Sequence, residues 1–552
     1  MKVYSVTLCI VLAAITSPPL LRADLPFSTI AIAGEPAPGL AANENYSGFT
    51  PVSSEATGTL IGFMAFVSGV SINSSNDVCV YSGARSDPML VAREGTSAPT
   101  LGGETFRFLS PPTINVAGTT AFRSTLNPSG VGIFRKLNGG ALQTLARNGS
   151  FVDSSSTVLV GNTIFGNRYP IDAAGNVYFG SELTGSSVTI NDQYALLRAG
   201  TSVITTIARS GITIPAGITQ NVPAIRYGVF YDISVNQSGQ VAFVAALNNN
   251  PIGEDSGIWR WNSGAETLVV REGDDVPGLP GTTFGESSFT VGIGDDGTIG
   301  FCRTLIGSGV TANNEESLWT EKAGTFKLIV REGDPAPDLN PGVEFDSIIS
   351  GSGGIAPAIS PSGRVAFLAR VRGPGITNTN DDALWVQDGN GNIRLVVREG
   401  SLVENINGAF EGIGQSSPGF LPITLDYVDG FPSSNRLLFT AKSGNGSFDG
   451  IYEVEVPGDT VAPSLSINGL KVQKSKKRSF RVTGSASDNN SVSRVEVKVG
   501  GGGFRPAIGT APWSFNARLK PGTNRILARA TDGAGNLSGF ASTSVRYQSR
   551  RR

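Results

Sequence analysis

One segment recurs along the chain. Leu328–Pro337 reads Leu-Ile-Val-Arg-Glu-Gly-Asp-Pro-Ala-Pro, and Leu268–Pro277, Leu395–Gly400 and Leu90–Pro99 repeat it; weaker copies end at Gly149 and Gly211, and an amino-terminal one spans Thr29–Pro38. The shared glycines fall at 34, 95, 149, 211, 273, 333 and 400, so successive units are 61, 54, 62, 62, 60 and 67 residues long. A period near sixty is too long for one rung of a β-helix and fits a four-stranded sheet with long loops.

Each unit carries a second signature ahead of a short apolar run. Asn115–Phe122 (NVAGTTAF), Asp172–Phe179 (DAAGNVYF), Asn236–Phe243 (NQSGQVAF), Gly294–Phe301 (GDDGTIGF) and Ser360–Phe367 (SPSGRVAF) are its clear copies. Its chemistry is that of a turn: the first side chain can accept the backbone N–H two residues on, and the glycine can take φ > 0. Before Leu438 and Phe439 the glycine place is taken by Asn435, and before Phe63 by Gly58 at a slightly different spacing. A third strand follows with a large apolar pair, as in Val80-Tyr81, Ile133-Phe134, Ile258-Trp259, Leu318-Trp319, Leu384-Trp385 and Ile451-Tyr452. Large aromatics at one repeated strand position pack a core, so Trp259, Trp319 and Trp385 read as core and not as a ligand platform.

The last unit ends at Glu455 and Val456 with no Val-Arg-Glu-Gly strand after it, and the orphan copy at Thr29–Gly34 sits at the other end of the chain. An amino-terminal strand that completes the last sheet would shut a ring and leave no large open edge. The expected fold is therefore all-β, a seven-bladed β-propeller closed by an amino-terminal strand, over residues 24–458. The turn pattern resembles the bacterial exported tandem-repeat, choice-of-anchor proteins with an Asn-x-x-Gly-x-x-Ala-Phe motif. That resemblance covers about residues 25–456 and implies an envelope or secreted location and a propeller-like fold, with no chemistry attached.

Composition removes several functions. The chain has no histidine, which excludes Ser-His-Asp and Cys-His catalysis and His-ligated metals. Met1, Lys2 and the apolar run Val6–Ile15 read as a signal peptide cleaved after Ala23, so residues 1–23 would be removed and the protein exported, with no transmembrane segment in the mature chain. Cys79 and Cys302 then remain, far apart and without metal-ligand spacing.

Residues 459–552 are expected to form a second domain. Pro512-Trp513-Ser514-Phe515, Pro521-Gly522 and Ala530–Asn536 (ATDGAGN) resemble bacterial immunoglobulin-like modules, which implies a β-sandwich of about seven strands. This part holds 17 Lys and Arg against 4 Asp and Glu, net +13, and leaves −15 for residues 1–458. The two parts could therefore attract each other. Lys471, Lys474, Lys476, Lys477 and Arg478 form a candidate site for an anionic polymer such as an acidic envelope polysaccharide, with a solvated face as the plain alternative. No stacking aromatics interleave with the basic run, which argues against nucleic acid.

Acids recur in the loops ahead of the third strand: Asp77, Asp192, Asp255, Glu316, Asp382 and Asp449. Oxygen ligands gathered this way could hold Ca²⁺ or form an acidic rim for a ligand, although Asp also simply suits β-turns. Arg271 with Glu272, Arg331 with Glu332 and Arg398 with Glu399 point to opposite faces of their strands, so each member is expected to pair with a neighbouring blade. No carboxylate is singled out from its repeat copies, as a catalytic acid should be. The sequence therefore favours a non-catalytic binding or interaction scaffold of the envelope or extracellular space, with polysaccharide or another surface protein as partner. The alternative is a carbohydrate-active hydrolase or lyase using Asp or Glu on the loop-rich face.

Overall fold

The computed structural model describes residue 25 and residues 27–548, apart from 51, 56, 100–101, 167, 220–223, 250–252, 349–355, 405–409, 414–422, 426–434, 443–448, 470–471 and 490–491. The described residues contain strands and turns and no helix. Among them, no helix is therefore long and apolar enough to cross a membrane.

Each repeat makes one antiparallel sheet of four principal strands. The first runs Asn45–Phe49, Leu60–Ser68, Val78–Ala84, Asp87–Arg93 in spatial as well as chain order. The second begins with Thr105–Leu109, the third with Leu159–Phe165, the fourth with Arg226–Val235, the fifth with Thr282–Ile293 and the sixth with Glu344–Ser347, each continuing in the same order. The last sheet differs. Its order is Ile423–Leu425, Arg436–Lys442, Asp449–Glu455 and then Phe27–Ile32, the amino-terminal strand standing where the other sheets have their Val-Arg-Glu-Gly strand. Phe27 pairs with Val454 and Ile32 with Gly450.

The turn signature behaves as its chemistry dictates. Asn115 Oδ1 accepts the N–H groups of Ala117 and Thr119 at 3.0 and 2.9 Å. Gly118 takes φ 74° and Asn435, in the same place of the last sheet, takes φ 57°. The side chain also does something the sequence did not disclose: Asn115 Nδ2 donates to the carbonyl of Asp172, and Asn236 Nδ2 to that of Gly294, each the first residue of the next turn. The turns are thus tied sheet to sheet.

The phenylalanine that ends the signature sits directly across from the aromatic of the third strand. Phe63 pairs with Tyr81, Phe122 with Phe134, Phe243 with Trp259 and Phe439 with Tyr452, and these four pairs stack with ring centroids 5.3 to 5.9 Å apart. Trp259, Trp319 and Trp385 are buried, as expected of core residues. Apolar clusters lie between sheets: Met64 and Val80 of the first pack with Phe106 and Phe122 of the second, and Cys302 and Leu318 of the fifth with Phe345 and Trp385 of the sixth. Leu384 and Val386 of the sixth pack with Phe439 and Tyr452 of the last, and Ala31, Leu438 and Ile451 of the last with Tyr46 and Phe49 of the first. Arg168, three residues after Leu159–Phe165, forms a buried ion pair with Asp232 of Arg226–Val235, and Val291 N–H of Thr282–Ile293 also donates to Asp232 at 3.0 Å. Cys79 and Cys302 are buried and form no disulfide.

From Ser464 onward two further sheets form, one of Ser464–Ile467, Ser479–Ser487 and Trp513–Arg518, the other of five strands that include Val492–Val499, Gly522–Asp532 and Ala541–Tyr547. They close over a core of Trp513, Val482, Val497, Ile526 and Val545. Among the described residues the sandwich has eight strands, where about seven were expected.

Candidate functional site

The first, or inner, strand of each of the first six repeat sheets breaks register. The shifts fall between Tyr46 and Gly48, Phe106 and Leu109, Val160 and Ile164, Tyr227 and Phe230, Phe284 and Ser287, and Phe345 and Ser347. A bulge adds a residue to one strand, bends it and re-aims the side chains that follow. In Thr105–Leu109 strict alternation would put Phe106 and Phe108 on one face, yet Phe106 is 2 % exposed and Phe108 57 %. Arg107 is exposed beside it, its guanidinium 4.9 Å from the Phe108 ring centroid. In the neighbouring sheets the bulges expose Ser47, Asn162, Thr163, Val229 and Tyr231. Sequence reasoning missed these residues. The signal was an inner strand such as TFRFL, whose pattern gives no reason for its second phenylalanine to leave the core.

A bulge also leaves a backbone N–H without its ladder partner, and the loop acids supply acceptors. Asp449 Oδ2 accepts Phe49 N–H at 3.2 Å, and Glu316 Oε2 accepts Ile348 N–H at 2.6 Å and the Ser347 hydroxyl at 2.9 Å. Asp449 is 7 % exposed, with Lys442 at 3.1 Å, and burial pushes its carboxyl up. Asp192 is buried as well. Burial works to raise its pKa, but the Thr189 N–H and hydroxyl and the Arg209 guanidinium at 3.0 Å more than offset it, leaving the pKa lowered.

Asp77, Asp255, Glu316 and Asp382 share an arrangement: each lies beside the glutamate of its own sheet's outer strand. Burial first, and Asp77 second, push Glu94 up to about 7. Burial and Asp255 likewise raise Glu272, and burial raises Glu332 beside Glu316. Glu399 is pushed up to about 7 by burial, Asp382 and Asp381. Asp77, Asp255, Glu316 and Asp382 are half-buried, and Asp192 and Asp449 buried. The arginines of the outer strands correct an expectation: Arg271 reaches Glu254 of its own sheet at 3.3 Å, and Arg331 Nε donates to its own sheet's Asn314 carbonyl at 2.6 Å. Glu332 does cross to the next sheet, to Arg372 at 3.3 Å.

Two groups of three carboxylates have oxygens within 4.8 Å of one another: Asp381, Asp382 and Glu399 in the sixth sheet, and Asp459, Asp488 and Asp532 where the carboxy-terminal sandwich begins. Lys474, Lys476, Lys477 and Arg478 are exposed on that sandwich; Lys471 lies outside the described residues. Two uncharged hydrogen bonds join the parts, Asn489 Nδ2 donating to Gly389 O at 3.1 Å and Thr460 N–H to Asn390 Oδ1 at 2.9 Å, and the Arg364 guanidinium of the sixth sheet also feels the Asp459 carboxylate. Lys474, Lys476, Lys477 and Arg478 take no part in these bonds.

A family model described as "Family of unknown function (DUF7453)" matches residues 26–415, and one described as "Bacterial Ig domain" matches residues 463–528. The choice-of-anchor tandem-repeat family suggested by the turn motif is not the one that matches. No curated protein matches the chain. Among solved structures, a polysaccharide lyase, PL25 ulvan lyase, is 9 % identical with a TM-score of 0.35, covering 75 % of this chain and 96 % of that one. The Aleuria aurantia lectin in complex with Fucα1-6GlcNAc is 9 % identical with a TM-score of 0.27, covering 63 % and 95 %. The fibronectin(III)-like modules of Clostridium thermocellum CbhA are 22 % identical with a TM-score of 0.13, covering 16 % and 100 %. Scores this low carry no argument about function.

Proposed function

The chain belongs to the family of unknown function DUF7453, and we propose that it is an exported, non-catalytic binding scaffold whose ligand, a polysaccharide, docks on the bulged ends of the inner strands. The observation that carries this reading is the pair Arg107 and Phe108, turned out of the core by a bulge that the neighbouring sheets repeat. An exposed aromatic face offers apolar area to the C–H face of a sugar ring, and guanidinium, amide and hydroxyl groups beside it satisfy the sugar hydroxyls. Tyr231, Asn162 and Thr163 extend the same chemistry.

The scaffold is a closed seven-bladed ring in this reading. Support comes from the pairing of Phe27–Ile32 with Asp449–Glu455 and from the apolar clusters that link the sixth sheet to the last and the last to the first. Export rests on the amino-terminal segment and on the bacterial Ig domain. The absence of catalysis rests on repetition. Buried carboxyl pairs of one kind stand at Glu94 with Asp77, Glu272 with Asp255 and Glu332 with Glu316, whereas a hydrolase or lyase needs one accessible acid unlike its copies.

Binding of the full chain to neutral and acidic polysaccharides at low and high salt tests the reading. Docking on aromatic faces survives 0.5 M salt as an order of magnitude, because the Debye length then falls to a few ångströms while apolar contact is unaffected. Binding that vanishes with salt, and with Lys474, Lys476, Lys477 and Arg478 changed to Gln, would instead place the ligand on the carboxy-terminal sandwich.

A further inference from the structure

The repeats act as internal controls for one another, and one of them departs from the rest. In the fifth sheet the buried Glu332 faces Glu316, and the arrangement is relieved from several sides: Arg372 of the next sheet lies 3.3 Å away, and the N–H groups of Glu315 and Glu316 donate at 3.1 and 3.4 Å. In the first sheet Arg107 of the following sheet offsets the charge of Glu94. In the fourth, Arg303 and Ser256 do so for Glu272.

The corresponding acid of the sixth sheet is placed differently. Glu399 is 0 % exposed, and neither of its carboxylate oxygens receives a hydrogen bond. The N–H groups of Asp381 and Asp382 are directed toward it and temper its proton affinity, but neither forms a bond of good geometry. A third carboxylate is present as well, because Asp381 precedes Asp382, and oxygens of all three groups lie within 4.8 Å of one another. Arg370 Nε donates to Asp382 Oδ1 at 3.0 Å and neutralises one of the three charges. Among the described residues neither Asp381 nor Glu399 has a cation at ion-pair distance, as Asp382 has in Arg370, and a buried charge in that state is costly.

We propose that Asp381, Asp382 and Glu399 form a Ca²⁺ site specific to the sixth repeat. Three carboxylates on two adjacent loop residues and one strand end supply hard oxygen donors without histidine or thiolate, which suits Ca²⁺, and water completes its six to eight ligands. A divalent ion cancels the local charge. It also clamps the loop before Asp382–Gln387 to the end of Ile393–Arg398, where the sixth sheet meets the last.

The test is calorimetric titration of the full chain with CaCl₂, with thermal unfolding in EDTA and in millimolar Ca²⁺. Wild type should take up Ca²⁺ and unfold at a higher temperature in its presence. Glu399→Gln keeps the shape of the side chain and removes its charge; it should fold in EDTA with a Tm no lower than wild type, lose one equivalent of Ca²⁺ and lose the corresponding part of the Tm shift. Asp381→Asn should weaken the same equivalent at least about tenfold. Glu332→Gln should leave Ca²⁺ uptake unchanged, and Asp532→Asn, in the carboxy-terminal carboxylate group, should leave the Glu399-dependent equivalent in place. No uptake by wild type, or the same stoichiometry and Tm shift in Glu399→Gln, would overturn the proposal and leave Glu399 as a buried acid that holds its proton.

Discussion

Asp449 accepts a hydrogen bond from the backbone N–H of Phe49, 400 residues earlier in the chain. The bond joins the last sheet to the first, and it does so at a bulge, where Phe49 would otherwise lack an acceptor. Removing that acceptor strands a buried donor, which costs about 1–3 kcal/mol. Asp449→Ala should therefore lower stability in urea by that amount, and Asp449→Asn, which keeps a side-chain oxygen in reach, by clearly less.

The amino-terminal strand contributes Ala31 to the apolar cluster between the last and first sheets, beside Leu438, Ile451 and Phe49. An unpaired carboxylate there has neither water nor a cation, and a penalty of about 3 kcal/mol or more is expected. Ala31→Asp should lower the midpoint of chemical unfolding sharply, and Ser28→Asp, on the exposed side of the same strand, should not.

Glu94 gives a pH dependence with a definite sign. Its pKa stands at about 7 in the folded chain against 4.5 as the ordinary value. Between those values the folded state holds a proton that the unfolded state has released, so the contribution is fully present below pH 4.5 and is lost as pH rises through 7. Glu94→Gln removes the effect. Relative to wild type, the variant should gain stability between pH 4.5 and 7, up to about 3 kcal/mol, and hold that advantage unchanged above it.

What the sequence disclosed was what local chemistry decides. The turn from Asn115 to Phe122 follows from an Asx side chain and a residue that tolerates φ > 0, and Asn435 at φ 57° obeys the rule without a glycine. The recurrence of Phe63 and Tyr81 at fixed strand positions was legible in the repeat, and their direct pairing was not. The candidate site was less legible because bulges depend on the neighbouring sheet. Nothing within TFRFL separates Phe106 from Phe108; the separation comes from register against Leu126 and Ser124 and from packing against the first sheet. The acids were found as a recurring set, but an alternation pattern does not disclose that Asp77 would lie against Glu94, or that Arg271 would turn back to Glu254.

The basic cluster gives a prediction about docking. The repeat sheets and the sandwich meet through Asn390 and Asn489 without Lys474, Lys476, Lys477 or Arg478. Raising salt from 0.05 to 0.5 M, an order-of-magnitude change, should not separate the two parts in small-angle scattering, since screening weakens the attraction of Arg364 for Asp459 but leaves the Asn390 and Asn489 hydrogen bonds intact.

The central claim is that the bulged inner strands carry the ligand, and its most direct measurement is calorimetric affinity for the best polysaccharide found, in wild type and in Phe108→Ala with Tyr231→Ala. Both side chains are substantially exposed, at 57 % and 39 %, so the double variant should unfold within about 0.5 kcal/mol of wild type for each substitution. Loss of two stacking faces should weaken binding at least about tenfold, in line with roughly 1 kcal/mol or more per aromatic contact. Unchanged affinity in a folded double variant would contradict the account and move the ligand away from the bulges.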